Sequence, residues 1–76
     1  MALKVVVWGT GNVGRPAIRA VVAHRGLELV GVIVADPDKV GVDAGVLAGI
    51  GTLGIQATDE VWIAEVDDVD AVVYAV

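Results

Sequence analysis

The sequence predicts an α/β fold in which helices cover a parallel sheet, and three observations predict it. Apolar runs rich in valine recur at Leu3–Trp8, Leu27–Ala35 and Ala71–Val76, each short enough for a strand hidden on both faces. Between the first two, Val13, Ala17, Ala20, Val21 and Ala23 follow the helical period. Apolar residues make up 57% of the 76 residues, above the roughly 45–50% of an average soluble chain. Strands alternating with helices in this way argue for β-α-β units.

Taken in order, the first strand ends at Gly9, and Gly9–Gly14 forms a turn. A helix follows over Val13–His24, where Pro16 lies near enough to the first turn to cost little helix bonding. Gly26 is the expected stop just past its end. The second strand carries Val30, Val32, Ile33 and Val34, and Asp36-Pro37-Asp38 closes it as a turn. Beyond, Val42–Leu47 reads as a short helix loosened by Gly45 and Gly49, Gly51–Gly54 as loop, and Ile55–Ala57 as a short strand. Thr58-Asp59-Glu60 resembles a helix start ahead of Val61, Trp62, Ile63 and Val66. Right-handed crossovers place the first strand centrally and give the sheet order 3-2-1-4, with Ile55–Ala57 third and the last apolar run fourth.

Composition excludes several functions. The formal net charge is -5, and all five basic residues (Lys4, Arg15, Arg19, Arg25, Lys39) fall at or before position 39. Asp59 to Asp70 holds six acidic residues and no basic one. An acidic chain without a basic cluster suits neither nucleic acid nor an anionic membrane. There is no cysteine, which removes disulfides and thiolate metal sites. No apolar run approaches the roughly 18 residues of a membrane span, and no signal peptide is visible. A cytoplasmic protein is expected.

One motif carries chemistry. Gly9-Thr10-Gly11-Asn12-Val13-Gly14 is G-x-G-x-x-G, preceded by a strand and followed by a helix, with Asp36 ending the next strand about 20 residues on. Gly9 permits the tight turn, Gly11 lets the backbone approach a pyrophosphate, and Gly14 lets the helix sit close on the sheet. N–H groups at the helix start, with the positive end of its dipole, then face phosphate oxygens. Thr10, Asn12 and Val13 complete the expected cofactor-binding turn. A partial Rossmann-type doubly wound parallel sheet, an incomplete dinucleotide-binding domain over residues 1–76, is the expected fold. A phosphate loop of the triphosphatase kind is excluded, because Arg15 replaces its lysine and Pro16 its magnesium-binding hydroxyl.

Asp36 has two readings. As a ligand it accepts hydrogen bonds from the adenosine ribose and disfavours a 2′-phosphate, pointing to NAD over NADP. Otherwise it is a turn residue ahead of Pro37. Lys39 keeps NADP open if it swings toward a 2′-phosphate. His24 suits a helix end, where a cation meets the dipole favourably. Trp8 reads as core, with its indole able to edge the cofactor site, and Trp62 as packing on the sheet or on a partner. Glu65, Asp67, Asp68 and Asp70, alternating with Val66 and Val69, read as a solvated connection. There are no paired carboxylates, catalytic triad or metal-ligand spacing.

Val7–Arg15, then Leu27-Glu28-Leu29-Val30-Gly31-Val32, then Asp38-Lys39-Val40-Gly41-Val42-Asp43-Ala44-Gly45, together resemble the amino-terminal domain of the dihydrodipicolinate reductase-like dehydrogenases, whose relatives include 2,4-diaminopentanoate dehydrogenase. The resemblance covers nearly the whole chain, and the last segment is its more particular part. It implies NAD(P)H binding, with Gly9 to Gly14 on the pyrophosphate and Asp36 on the adenosine ribose. It further implies a second domain for a small-molecule substrate, a homo-oligomeric assembly, and a nicotinamide-facing loop that begins at or just beyond Val76. On that reading the chain lacks its catalytic domain and is inactive alone. The alternatives are a non-catalytic nucleotide-binding or sensing module, or a truncated fragment without activity that binds nothing well.

Overall fold

The computed structural model describes residues 2–75. Its centre is β1 (Leu3–Trp8), in which Val5, Val6 and Val7 are all buried. Three successive branched residues without a polar partner among them favour an extended strand covered on both faces. β1 pairs in parallel with β2 (Leu27–Ile33) on one side and with β3 (Ala71–Tyr74) on the other. The sheet order is therefore β2-β1-β3. Val5 pairs with Leu29 and Val6 with Gly31, so Val30 is an extra residue that bulges β2.

The four-strand order 3-2-1-4 is corrected by this topology. Ile55–Ala57 does not form a strand: Gln56 bridges Asp43 in antiparallel fashion, and Thr58 bridges Ile33 in parallel fashion, one bridge each. Thr58 N–H donates to the Val32 carbonyl, and Val34 N–H donates to the Thr58 carbonyl. The segment thus reaches the outer side of β2, but its backbone is shared between two partners. A ladder cannot extend, because Thr58 Oγ1 already accepts from Glu60 N–H and turns the chain away.

Crossing from β1 to β2 is α1 (Gly14–Ala23). Its buried stripe is Gly14, Ile18 and Val21, with Ala17 packed beside them; Ala20 and Ala23, expected on the apolar face, are exposed. The helix ends at His24 in extended conformation. Gly26 does not take the left-handed cap expected of it; instead its N–H donates to His24 Nδ1 at 2.9 Å. The imidazole closes the turn as a local acceptor. α1 packs on β1, on β2 and on the short α2 (Ala44–Ala48). Together they bury Val5, Val7, Ile18, Val21, Leu29, Val32 and Ala48 in one cluster.

The opposite face is covered differently. The helix expected after Thr58–Glu60 is a 3-10 turn, Val61–Ala64, which gives that face a single turn where a doubly wound sheet carries a full helix. Ile63 reaches in beside Gly31, where an added Cβ would stand 2.9 Å from Ile63 Cδ1. Trp62 stays 57% exposed and donates from Nε1 to Glu60 Oε2. The acidic connection behaves as expected for a solvated segment, except at Asp70. Its Oδ2 accepts from Lys4 N–H at 2.7 Å, and its own N–H donates to the Lys4 carbonyl, tying the start of β1 to the start of β3. No helix is long and apolar enough to cross a membrane among the described residues. The expected final run beyond Ala75 lies outside those residues.

Candidate functional site

At the carboxyl end of the sheet, β1 has neighbours that lead away in opposite directions. Gly9 N–H donates to the Ile33 carbonyl of β2, while the Trp8 carbonyl accepts from Ala75 N–H beyond β3. This is the switch point of an open α/β sheet, where the loops on the two sides diverge and leave a crevice. The glycine turn leaves from that point. Gly9 has φ 117°, a conformation side chains resist, and it turns the chain sharply off the strand.

The three glycines have separable roles. A Cβ on Gly14 would run into the Gly9 carbonyl oxygen, so α1 can start this close to the sheet only without a side chain. Gly11 differs: a Cβ there would meet nothing within 4 Å, and its φ is not left-handed. Neither packing nor backbone conformation requires glycine at position 11. What remains is the open space in front of it.

That space is a cleft of about 670 Å³ lined by Trp8 through Val13, by Ala35, Asp36 and Lys39, and by Tyr74 and Ala75. The size falls within the ordinary range for small-molecule sites. The start of α1 opens onto it without a side-chain cap and with no acidic residue in its first turn. The two other helical turns that begin with an aspartate are both capped, by Asp36 and by Asp43. The positive end of the α1 dipole, with those N–H groups at its start that have no partner within the chain, is therefore left for an external acceptor. Arg15 N–H is already donated to the Gly11 carbonyl, and Pro16 has none to give.

Of the residues expected at the cofactor, Gly9, Thr10, Gly11, Asn12, Val13 and Asp36 line this one cleft, and Gly14 lies beneath it as support. The turn reading of Asp36 is visible in its geometry: Oδ1 accepts from Asp38 N–H at 3.0 Å and caps the 3-10 turn Pro37–Lys39. The residue is exposed and also lines the cleft. Thr10 is buried, 5% exposed, and its Oγ1 accepts from Lys39 Nζ at 3.3 Å. Trp8 does edge the site: it is half-buried and meets Tyr74 edge-on, with ring centroids 5.4 Å apart.

Sequence reasoning missed Tyr74 and Asp43. Tyr74 ends a strand parallel to β1, the position from which residues reach a switch-point crevice, and that signal was present in the last apolar run. Asp43 is structural. Its Oδ1 accepts from Gly45 N–H and Leu53 N–H and its Oδ2 from Gly54 N–H, at 2.8, 2.9 and 2.7 Å. These bonds, led by that from Leu53, hold its carboxyl below the ordinary carboxylate range against the opposing effect of desolvation. Asp43 so fastens the 51–54 loop to the start of α2. No group of acidic or histidine side chains suited to a metal ion occurs among the described residues.

Comparison with known proteins bears on this cleft directly. The family model described as dihydrodipicolinate reductase, N-terminus, matches residues 3–74. The chain belongs to the dihydrodipicolinate reductase N-terminal family. Among its relatives, an amine dehydrogenase of Streptomyces virginiae is 54% identical over 74 residues, which cover 96% of this chain and 21% of that protein. A 4-hydroxy-tetrahydrodipicolinate reductase of Acaryochloris marina is 39% identical over 56 residues, covering 74% of the chain and 20% of that protein. The structure of an amine dehydrogenase from Mycobacterium smegmatis superposes with a TM-score of 0.78 at 30% identity, covering 95% of this chain and 22% of that one. The chain thus spans about a fifth of the length of these relatives. As a member of this family, the chain has the Rossmann-like α/β fold that its structural neighbour shares.

Proposed function

We propose that this domain grips the diphosphate and adenosine of NAD(P)H for an oxidoreductase acting on a C=N or C=O carbon of a small substrate. The observation that carries the reading is Gly11, a glycine required by neither packing nor φ, facing an open cleft at the uncapped start of α1. A pyrophosphate fits that arrangement, since the backbone donors of the turn lie unobstructed and the helix dipole favours an anion. When bound, the nicotinamide supplies or accepts a hydride at its C4.

The chain's own residues bind and orient. Gly9 to Gly14 cradle the pyrophosphate, with Thr10, Asn12 and Val13 along the same turn. Asp36 accepts from the adenosine ribose through the carboxylate oxygen not used by Asp38, which gives NAD a slight preference. Trp8 and Tyr74, in edge-on contact, supply the aromatic part of the cleft lining. Substrate contacts and proton transfer belong to a second domain of the longer protein, which works as a homo-oligomer in the cytoplasm. This division of labour accords with relatives that are about five times as long as the chain.

Trp8 makes the reading testable by light. Indole emission overlaps dinucleotide absorption, so NADH bound in the cleft should quench Trp8 saturably. Trp8→Phe should remove most of the quenching, and Trp62→Phe, altered on the other face, should leave it in place. Absence of saturable quenching would contradict the proposal. In the longer protein with its second domain, deuterium carried from C4-labelled NADH into a reduced imine tests the transfer itself; label kept wholly in the dinucleotide there would reduce the function to binding.

A further inference from the structure

The sheet has two outer edges, and they differ in how they are guarded. Along β2, Val30 bulges the strand, Glu28 sets an exposed charge on it, and the segment at Thr58 takes up backbone groups of Val32 and Val34. Bulges, charges and covering loops are the usual means of keeping a sheet edge from pairing with another chain. β3 has none of them. Ala71, Val72, Val73 and Tyr74 are all exposed, their register with β1 is unbroken, and no strand lies beyond them among the described residues. Ala75 N–H points inward to the Trp8 carbonyl, so alternation along the strand turns the N–H and C=O groups of Val72 and Tyr74 outward.

Charge and register decide what suits this edge. Glu65, Asp67, Asp68 and Asp70 lead into β3. Pairing in parallel with another copy would set two such segments side by side, whereas antiparallel pairing puts them at opposite ends and keeps like charges apart. A two-fold axis normal to the sheet gives the antiparallel arrangement and preserves both faces, so each residue meets one from its own face. Centred on Val73, the axis sets Val73 against Val73 and Val72 against Tyr74, with Asp70 beyond the paired stretch. Val72 against Tyr74 is a β-branched residue facing an aromatic one, a favourable cross-strand combination. These two also carry the outward groups, so each such pair exchanges two backbone hydrogen bonds.

We propose that β3 is an interface for a second copy of this chain, joined antiparallel about Val73 into a six-stranded sheet of order β2-β1-β3-β3-β1-β2. The two-fold contact closes on itself and leaves only the guarded β2 edges outside. Four residues a side fall well short of the roughly 20–30 of a standard interface, so the dimer is weak and forms at high chain concentration. The inference does not rest on the dinucleotide reading; it gives a surface to the homo-oligomer proposed above.

Sedimentation equilibrium from micromolar to millimolar chain should show monomer giving way to dimer and to no larger species. Val73→Lys and Val73→Glu each place like charges directly opposite one another across the axis, and each should weaken dimerisation by about tenfold or more. An equimolar mixture of the two should recover a dimer holding one copy of each, because the facing charges are then opposite. In the unmodified protein, exchange of the Val72 and Tyr74 amides should slow as concentration rises, a readout that requires no variant. A chain that stays monomeric throughout overturns the proposal and leaves the edge to a strand of different sequence. Dimers that persist in both variants, or a mixture that recovers none, also overturn it. None of these failures touches the dinucleotide reading, which the quenching of Trp8 by NADH tests separately.

Discussion

Gly11 and Gly14 have the same residue type and opposite physical reasons for it. At Gly14 the reason is internal, because any Cβ meets the Gly9 carbonyl. Overpacking of this kind costs about 1–3 kcal/mol, and a Cβ has no torsion by which to move aside. At Gly11 the surroundings are empty and φ is not left-handed. Alanine there should stabilise the fold slightly, by up to about 1 kcal/mol, through a less flexible unfolded chain. Thermal unfolding of Gly14→Ala and Gly11→Ala should therefore move in opposite directions. Equal destabilisation by both would show that position 11 is constrained by the fold and not reserved for a ligand. The motif was legible in sequence because strand, glycines, helix and Asp36 stand at a fixed spacing. Which glycine answers to the fold and which to the cleft was not, since that depends on what lies opposite each Cα.

Between elements, the longest lever is Asp43, whose carboxylate joins α2 to the loop that follows it. Its folded pKa lies below the ordinary value. The stabilisation is therefore fully present above the unfolded value, about 3.9, and is lost as pH falls through the lower folded value. The melting temperature of the unmodified protein should drop as the pH is taken below about 4, and Asp43→Asn should be less stable at neutral pH with a shallower acid decline. Parallel acid profiles for the two proteins would remove Asp43 from this role. Sequence patterns found β1, α1, β2 and β3 within one or two residues, because β1, α1 and β2 each bury a continuous face and β3 repeats the valine-rich pattern of β1, although its four residues stay exposed. They failed where support is shared out. Ile55–Ala57 looks like a strand but divides its hydrogen bonds between the residues around Asp43 and the end of β2. Val61–Ala64 is apolar enough for a helix, yet Val61 and Trp62 stay exposed and only Ile63 finds a niche beside Gly31. One anchored side chain holds a single turn and not a longer helix.

In the molecule as a whole, the parallel order β2-β1-β3 puts the crevice at the one strand end where neighbouring loops part. Everything assigned to the cofactor converges there from segments distant in sequence: the turn after β1, the turn after β2 and the end of β3. The fold class was legible from valine-rich runs alone, and the central place of β1 from the handedness of crossovers. The absence of a fourth strand among the described residues was not, because edge pairing depends on contacts between loops that carry no periodic signal. The central claim is that the glycine turn holds a pyrophosphate at this switch point. Calorimetric titration of the protein and of Gly11→Val with NADH and ADP-ribose tests it most directly, with the amide spectrum of each recorded to establish folding. The account predicts binding of both ligands by the unmodified protein and loss of at least tenfold in a still-folded Gly11→Val, about the 1.4 kcal/mol of one good phosphate contact. Undiminished binding by that variant would contradict it, and the turn would then be a structural feature with no part in holding the dinucleotide.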